Sequence, residues 1–123
     1  MSYRQTTVFL LFVLFVSCYA NKKNGVIDKP VVITAEEAEK GLELIGNSDC
    51  TTCHKISETN IGPSYTDMAK KYEVTRANID TLAYRTIKGG TGVWGQIPMT
   101  PHPNLSLDDA RLMMKFILSL RNK

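Results

Sequence analysis

The chain has 123 residues, a formal charge of +3 and three cysteines. That length allows one small domain, and the charge is too slight and too scattered for a nucleic-acid binder. Three is an odd number, and two of the cysteines lie three positions apart, so no pair is left over for a structural disulfide once those two have a shared task.

Residues 1–17 read as an export signal. Arg4 supplies the positive start, and Val8 to Val16 is an unbroken apolar run. The run is short of the ~20 apolar residues that span a bilayer, but it suits a signal core. Two cleavage sites compete. Phe15-Val16-Ser17-Cys18 resembles a lipoprotein box, in which Cys18 becomes the lipidated N-terminus, although an aromatic at position 15 departs from the usual aliphatic. Alternatively, cleavage after Ala20 discards Cys18 and leaves a plain secreted chain. The lipoprotein reading is preferred, because a cysteine at the end of such a run is otherwise uncommon. Residues 18–33 then read as a linker, polar at first and extended around Pro30. It is either a tether or a terminus without a role. Residues 34–123 form the domain.

The first helix is expected to start at Thr34, which with Glu37 forms a capping box. Ala35, Ala38, Leu42 and Ile45 recur at helical spacing and mark the expected core face. Gly41 in mid-helix costs roughly 1 kcal/mol relative to Ala, which a close approach by another helix would justify. The helix gives out near Gly46-Asn47-Ser48.

Cys50-Thr51-Thr52-Cys53-His54 follows. A C-x-x-C-H run is the attachment signature of c-type haem. The two thiols add across the two porphyrin vinyl groups, and the adjacent His is carried under the ring where it can ligate iron. Other readings are open. A dithiol redox pair calls for a βαβ pattern, and the chain has none. A tetrahedral zinc site could draw on Cys50, Cys53, His54 and His102, although neighbouring Cys53 and His54 would crowd one metal. A chance match is the third.

A second helix is expected over residues 64–72, with Pro63 at its first turn. A third runs from Thr75 to Lys88 with Ile79, Leu82, Ala83 and Ile87 on one face, stopped by Gly89-Gly90. The segment 89–103 then carries Met99, with Pro98, Pro101 and Pro103 stiffening its end. A thioether on a rigid loop is a soft ligand that would keep iron's sixth position filled in both oxidation states. Met68, Met113 and Met114 sit in helical patterns and read as core. His102 is the rival ligand on chemistry alone, or else a solvated loop residue. Trp94 is expected either to pack on a porphyrin edge, with its N–H reaching a propionate, or to be an ordinary core aromatic. The last helix starts at Ser106 with Asp109. It is apolar most of the way round, with Asp108, Arg111, Lys115 and Ser119 on one stripe. Such a helix must be buried on two sides, by a neighbouring helix and a haem or by an oligomer interface.

Taken in order, Cys50 to His54, Ile61-Gly62-Pro63, Gly90-Thr91-Gly92-Val93-Trp94-Gly95, Pro98-Met99 and the start Leu105 to Ala110 resemble a small bacterial class I cytochrome c over residues 35–121, in a lipoprotein form. The resemblance implies an all-α fold of four or so helices wrapped around one covalently bound haem c. It implies iron held between His54 and Met99, and a hydrogen bond from His54 to the Pro63 carbonyl. It also implies a crossing of first and last helices where Gly41 meets Phe116. The implied function is single-electron transfer between redox proteins, without bond chemistry. The implied place is the periplasmic side, with contact to the membrane only through lipid on Cys18. Lys55 and Lys88 are candidates to steer acidic partners. The alternatives are a dedicated electron-accepting subunit of a dehydrogenase or oxidase, and a five-coordinate haem enzyme or gas sensor.

Overall fold

The computed structural model describes residues 28–122. The expected signal, Cys18 and most of the linker lie outside the described residues. Four α-helices follow in order: α1 (Ala35–Gly46), α2 (Tyr65–Lys71), α3 (Arg76–Lys88) and α4 (Leu107–Ser119). A short 3-10 turn, Asp49–Thr52, lies between α1 and α2. Among the described residues no helix is long and apolar enough to cross a membrane.

Each helix begins on a side chain that caps it. Thr34 and Glu37 make both bonds of the capping box, at 3.1 Å each. Ser64, Thr75 and Ser106 each accept a backbone N–H from the residue three positions on. Ser64, not Pro63, thus opens α2. Pro63 stands one residue before the cap, outside the helix, so its carbonyl is free for another partner. The chain before α1 is docked: Val31 N–H donates to the Val74 carbonyl at 2.8 Å, and the Asp28 carboxylate accepts Ala77 N–H at 2.6 Å at the start of α3.

Helix α4 is the spine, packing against α1, α2 and α3. Ala110, Met113, Met114, Phe116, Ile117 and Leu118 are buried along it. Its polar stripe ties it to its neighbours. Arg111 donates to Asp80 of α3 at 2.7 Å, and Lys115 pairs with Glu37 of α1. The Lys115 ammonium, with help from Thr34, holds the Glu37 carboxyl below the usual carboxylate range. Beyond the helix, Arg121 donates to the carbonyls of Ala69, Lys70 and Tyr72, which α2 leaves unpaired at its end.

The buried face of α1 differs from the expected one. Gly41 and Ile45 are buried, whereas Leu42 is 45% exposed and Ala35 is exposed. The reason is steric. A Cβ at Gly41 would overlap the Leu112 carbonyl oxygen and lie 2.9 Å from the Phe116 Cβ, so the bare glycine is the point at which the two helices touch. On α3, Thr86 is buried beside the expected apolar residues, its hydroxyl donating to the Leu82 carbonyl at 3.0 Å.

This contact predicts that Gly41→Ala destabilises the haem-loaded protein by about 3 kcal/mol through overpacking against backbone. Gly46→Ala, where an added Cβ meets nothing within 4 Å, is expected to be neutral or stabilising. Denaturant unfolding of both variants checks the contrast, and equal midpoints would contradict it.

Candidate functional site

The site begins at the 3-10 turn. Cys50 stands on it, and the chain then coils back so that the N–H groups of Cys53 and His54 both donate to the Cys50 carbonyl, at 3.2 and 3.0 Å. The two thiols are half-buried and unpaired with each other. Burial, followed by the Asp49 carboxylate, pushes the Cys50 thiol up.

The segment after the motif is folded onto it. Gly62 N–H donates to the Cys53 carbonyl at 3.0 Å, Tyr65 N–H to the Lys55 carbonyl at 3.0 Å, and the Asn60 amide to the Thr52 carbonyl at 3.2 Å. These bonds bring Pro63 over the imidazole. His54 Nδ1 lies 2.7 Å from the Pro63 oxygen and donates to it, because a carbonyl can only accept. Among the described residues His54 Nε2 has no hydrogen-bond partner. Gly62 lies against the ring so closely that a Cβ there would overlap His54 Cε1. Tyr65 stacks on the imidazole at 5.9 Å between centroids, and Phe116 meets Tyr65 edge-on at 6.5 Å. Among the described residues the buried Tyr65 hydroxyl has no partner, and burial pushes its phenol up to about 12.

Cys50, Cys53, His54 and Met99 all line one cavity. Buried Ile45, Met68, Leu82, Met113, Met114 and Ile117 line it too, so the expected core methionines also face this space. Met99 is fixed by its backbone: Gly90 N–H donates to the Met99 carbonyl at 3.1 Å, and Met99 N–H returns a bond to Gly90 at 2.9 Å. Gly89, at φ +67° after α3, makes room for this pairing. Its absent Cβ would come 2.8 Å from Pro101 N and also press on the Met99 oxygen.

Trp94 lines the same cavity and is 42% exposed. Its ring meets Tyr72 at 6.4 Å and carries the Lys71 ammonium 4.5 Å from its centroid. His102 also borders the cavity, but both ring nitrogens are engaged, Nδ1 with the Thr86 carbonyl at 3.2 Å and Nε2 with Asp49 at 3.1 Å. Lys55 donates to the Thr51 carbonyl, and the Lys88 ammonium sits 5.7 Å from the Tyr84 ring; neither lines the cavity. Gly62 and Tyr65 are the contributors that sequence reading missed as individuals. The Gly-Pro pair after the motif was the only signal for Gly62.

The residues present fit a haem. The lining is a largely apolar floor with the two thiols, the His54 imidazole whose second nitrogen is free, and the Met99 thioether on the opposite loop, and Gly62 leaves the ring its space. Imidazole and thioether are an established pair of haem-iron donors.

Comparison with known proteins agrees. Residues 38–121 match the family model described as cytochrome c. The chain is 37% identical over 86 residues to cytochrome c-551 of Allochromatium vinosum, covering 70% of this chain and 92% of that protein. It is 35% identical over 98 residues to cytochrome c-552 of Nitrosomonas europaea, covering 79% and 94%. The crystal structure of wild-type Nitrosomonas europaea cytochrome c552 superposes with a TM-score of 0.61 at 36% identity, over 65% of this chain and 99% of that one. The chain belongs to the cytochrome c family. It is a small class I monohaem cytochrome c that carries single electrons on one covalently bound haem c, passing them between redox partners.

Gly62→Ala should push the His54 ring off the Pro63 carbonyl and cost about 1–3 kcal/mol of stability. Denaturant unfolding together with the visible spectrum of the haem-loaded variant checks this. An unchanged midpoint with an unchanged spectrum would mean that the ring does not depend on that space.

Proposed function

We propose that Cys50 and Cys53 bind the haem through two thioether bonds and that His54 Nε2 and Met99 sulfur are the axial ligands of its iron. The observation that carries this reading is that all four side chains border one apolar cavity while the two ligands are each held by backbone. When bound, the haem supplies the one-electron couple of its iron.

The chain's residues do the remaining work. The Pro63 carbonyl fixes the His54 tautomer, with the proton on Nδ1, and raises the basicity of the nitrogen that faces the metal. Met99, on its pinned loop, fills the position that oxygen or another small ligand would need. The buried methionines and aliphatics exclude water, so little solvent rearranges when the charge on iron changes. Such a site is an electron carrier without bond chemistry of its own. Trp94 closes one side of the pocket. Lys55 and Lys88 are surface cations that steer acidic partners toward it. The protein is exported to the periplasmic side, in keeping with its kinship to the c-551 and c-552 cytochromes. Lipid on Cys18 tethers it there through the linker. That part rests on the box at residues 15–18.

Carbon monoxide tests the ligand set. The reduced protein should keep its spectrum under carbon monoxide, and Met99→Ala should bind the gas. Binding by the unmutated protein would reject Met99 and favour a five-coordinate haem. For the tether, metabolic labelling with palmitate is expected in the unmutated chain and lost in Cys18→Ser. Labelling that persists in the variant, or is absent from both, would count against the anchor.

A further inference from the structure

The loop between α3 and α4 has no regular secondary structure over residues 91–105 except single turns. Its backbone is pinned near its ends. Gly90 pairs with Met99, His102 N–H donates to the Ile87 carbonyl at 3.0 Å, and Leu105 N–H donates to the His102 carbonyl at 3.0 Å. Among the described residues, His102 is the one member of residues 89–105 whose side chain makes hydrogen bonds. Those bonds leave the loop in two directions. Nδ1 reaches Thr86 in the last turn of α3 at 3.2 Å, and Nε2 reaches Asp49 at 3.1 Å, the residue directly before Cys50.

We infer that His102 is a positioning residue for the sixth ligand: its ring straps the Met99 loop to the haem-attachment turn through Asp49 and to α3 through Thr86. The inference rests on the reading of Met99 as a ligand. Both partners are acceptors, so whichever ring nitrogen carries a proton has one waiting for it, at the Thr86 carbonyl or at the Asp49 carboxylate. The two ends that it joins are 53 positions apart in sequence, so no local turn could replace it. The consequence is specific. Where the loop lifts to release Met99 and the opening reaches residue 102, the strap must break. Asp49 touches neither ligand. Its side chain is 77% exposed and its hydrogen bond goes to His102, but its charge also borders the cavity, so the double variant is what separates the strap from a direct effect of that charge.

The test uses the oxidised, haem-loaded protein with free imidazole as the competing ligand. Its binding is followed by loss of the weak red charge-transfer band that ferric haem shows with methionine sulfur bound. His102→Ala should bind imidazole about tenfold faster, the loss of about one net hydrogen bond that opposed loop opening. Asp49→Ala, a surface change that leaves the fold intact, should speed binding severalfold. The double variant should be no faster than His102→Ala alone, since both changes cut one strap. Lys115→Ala, which cuts the ion pair between α4 and Glu37 of α1 and touches no residue of the loop, should leave the rate unchanged.

Rates in His102→Ala and Asp49→Ala equal to the unmutated protein's would overturn the inference. Additive effects in the double variant would do so too, because Asp49 would then act independently. An equal acceleration in Lys115→Ala would reduce the effect to general loosening and overturn it as well. If the red band is missing from the unmutated oxidised protein, the ligand reading itself fails, and that outcome is visible before any variant is compared.

Discussion

His54 commits one ring nitrogen to the Pro63 carbonyl at 2.7 Å, and a large part of the chain between residues 50 and 72 is arranged around that contact. A carbonyl inside a helix would already be spent on the backbone four residues on. Pro63 escapes this because Ser64 caps α2, starting the helix one residue later. Ser64 is itself fully buried and donates to Asp67 at 2.6 Å, a bond that holds the Asp67 carboxyl below its usual range. The position of α2 is thus set by the same few residues that orient the imidazole. Gly62 completes the arrangement by having no side chain where the ring must lie.

The rest of the fold holds this assembly against a frame. Helix α4 supplies most of the buried apolar surface and reaches each of the other helices with a cation: Lys115 to α1, Arg111 to α3 and, just past its end, Arg121 to α2. These pairs are partly exposed, and single pairs of that kind contribute little to stability. Their value lies more in register. Each pair has one favourable alignment along the helices it joins, and the apolar surfaces alone would tolerate small slides. Gly41 fixes the register of α1 by a different means, because only one residue of that helix lets the Leu112 carbonyl come so near.

Which features were legible in the sequence follows from how local they are. The four caps depend on residues three apart, and Thr34, Thr75 and Ser106 stand where the sequence pattern puts them, whereas Ser64 was not singled out. The cysteine spacing and the adjoining histidine are equally local. The buried face of α1 was misjudged by part of a turn, since apolar periodicity favours Leu42 while the real determinant is a glycine that periodicity does not score. Pro63 was assigned to the helix rather than to the position before its cap, a one-residue difference that only the hydrogen bonds decide. His102 was read as a ligand candidate or a solvated residue. Its two partners lie 16 and 53 positions away, and nothing nearby in the chain announces them. Arg121 is a similar case, because its carbonyl partners stand 49 to 52 positions upstream.

The two proposed ligands are mounted by opposite strategies, and the difference suits an electron carrier. His54 sits next to a covalent anchor on a turn closed by several short backbone bonds, so its place is set by sequence neighbours. Met99 has no such anchor. Its loop must be held by contacts that form only when the domain is complete: the Gly90 pair, the His102 backbone bond to Ile87 and the bridge to Asp49. Prolines at 98, 101 and 103 reduce the conformations open to the loop before it docks, so less entropy is lost when those contacts form. A ligand held in this way keeps nearly the same geometry in either oxidation state, because the loop has few alternative conformations to adopt. Fast electron exchange requires that, since every movement coupled to the change of charge adds to the barrier. The loop that carries the methionine therefore depends on a partner from across the domain, Asp49, whereas the histidine is oriented by residues of its own segment.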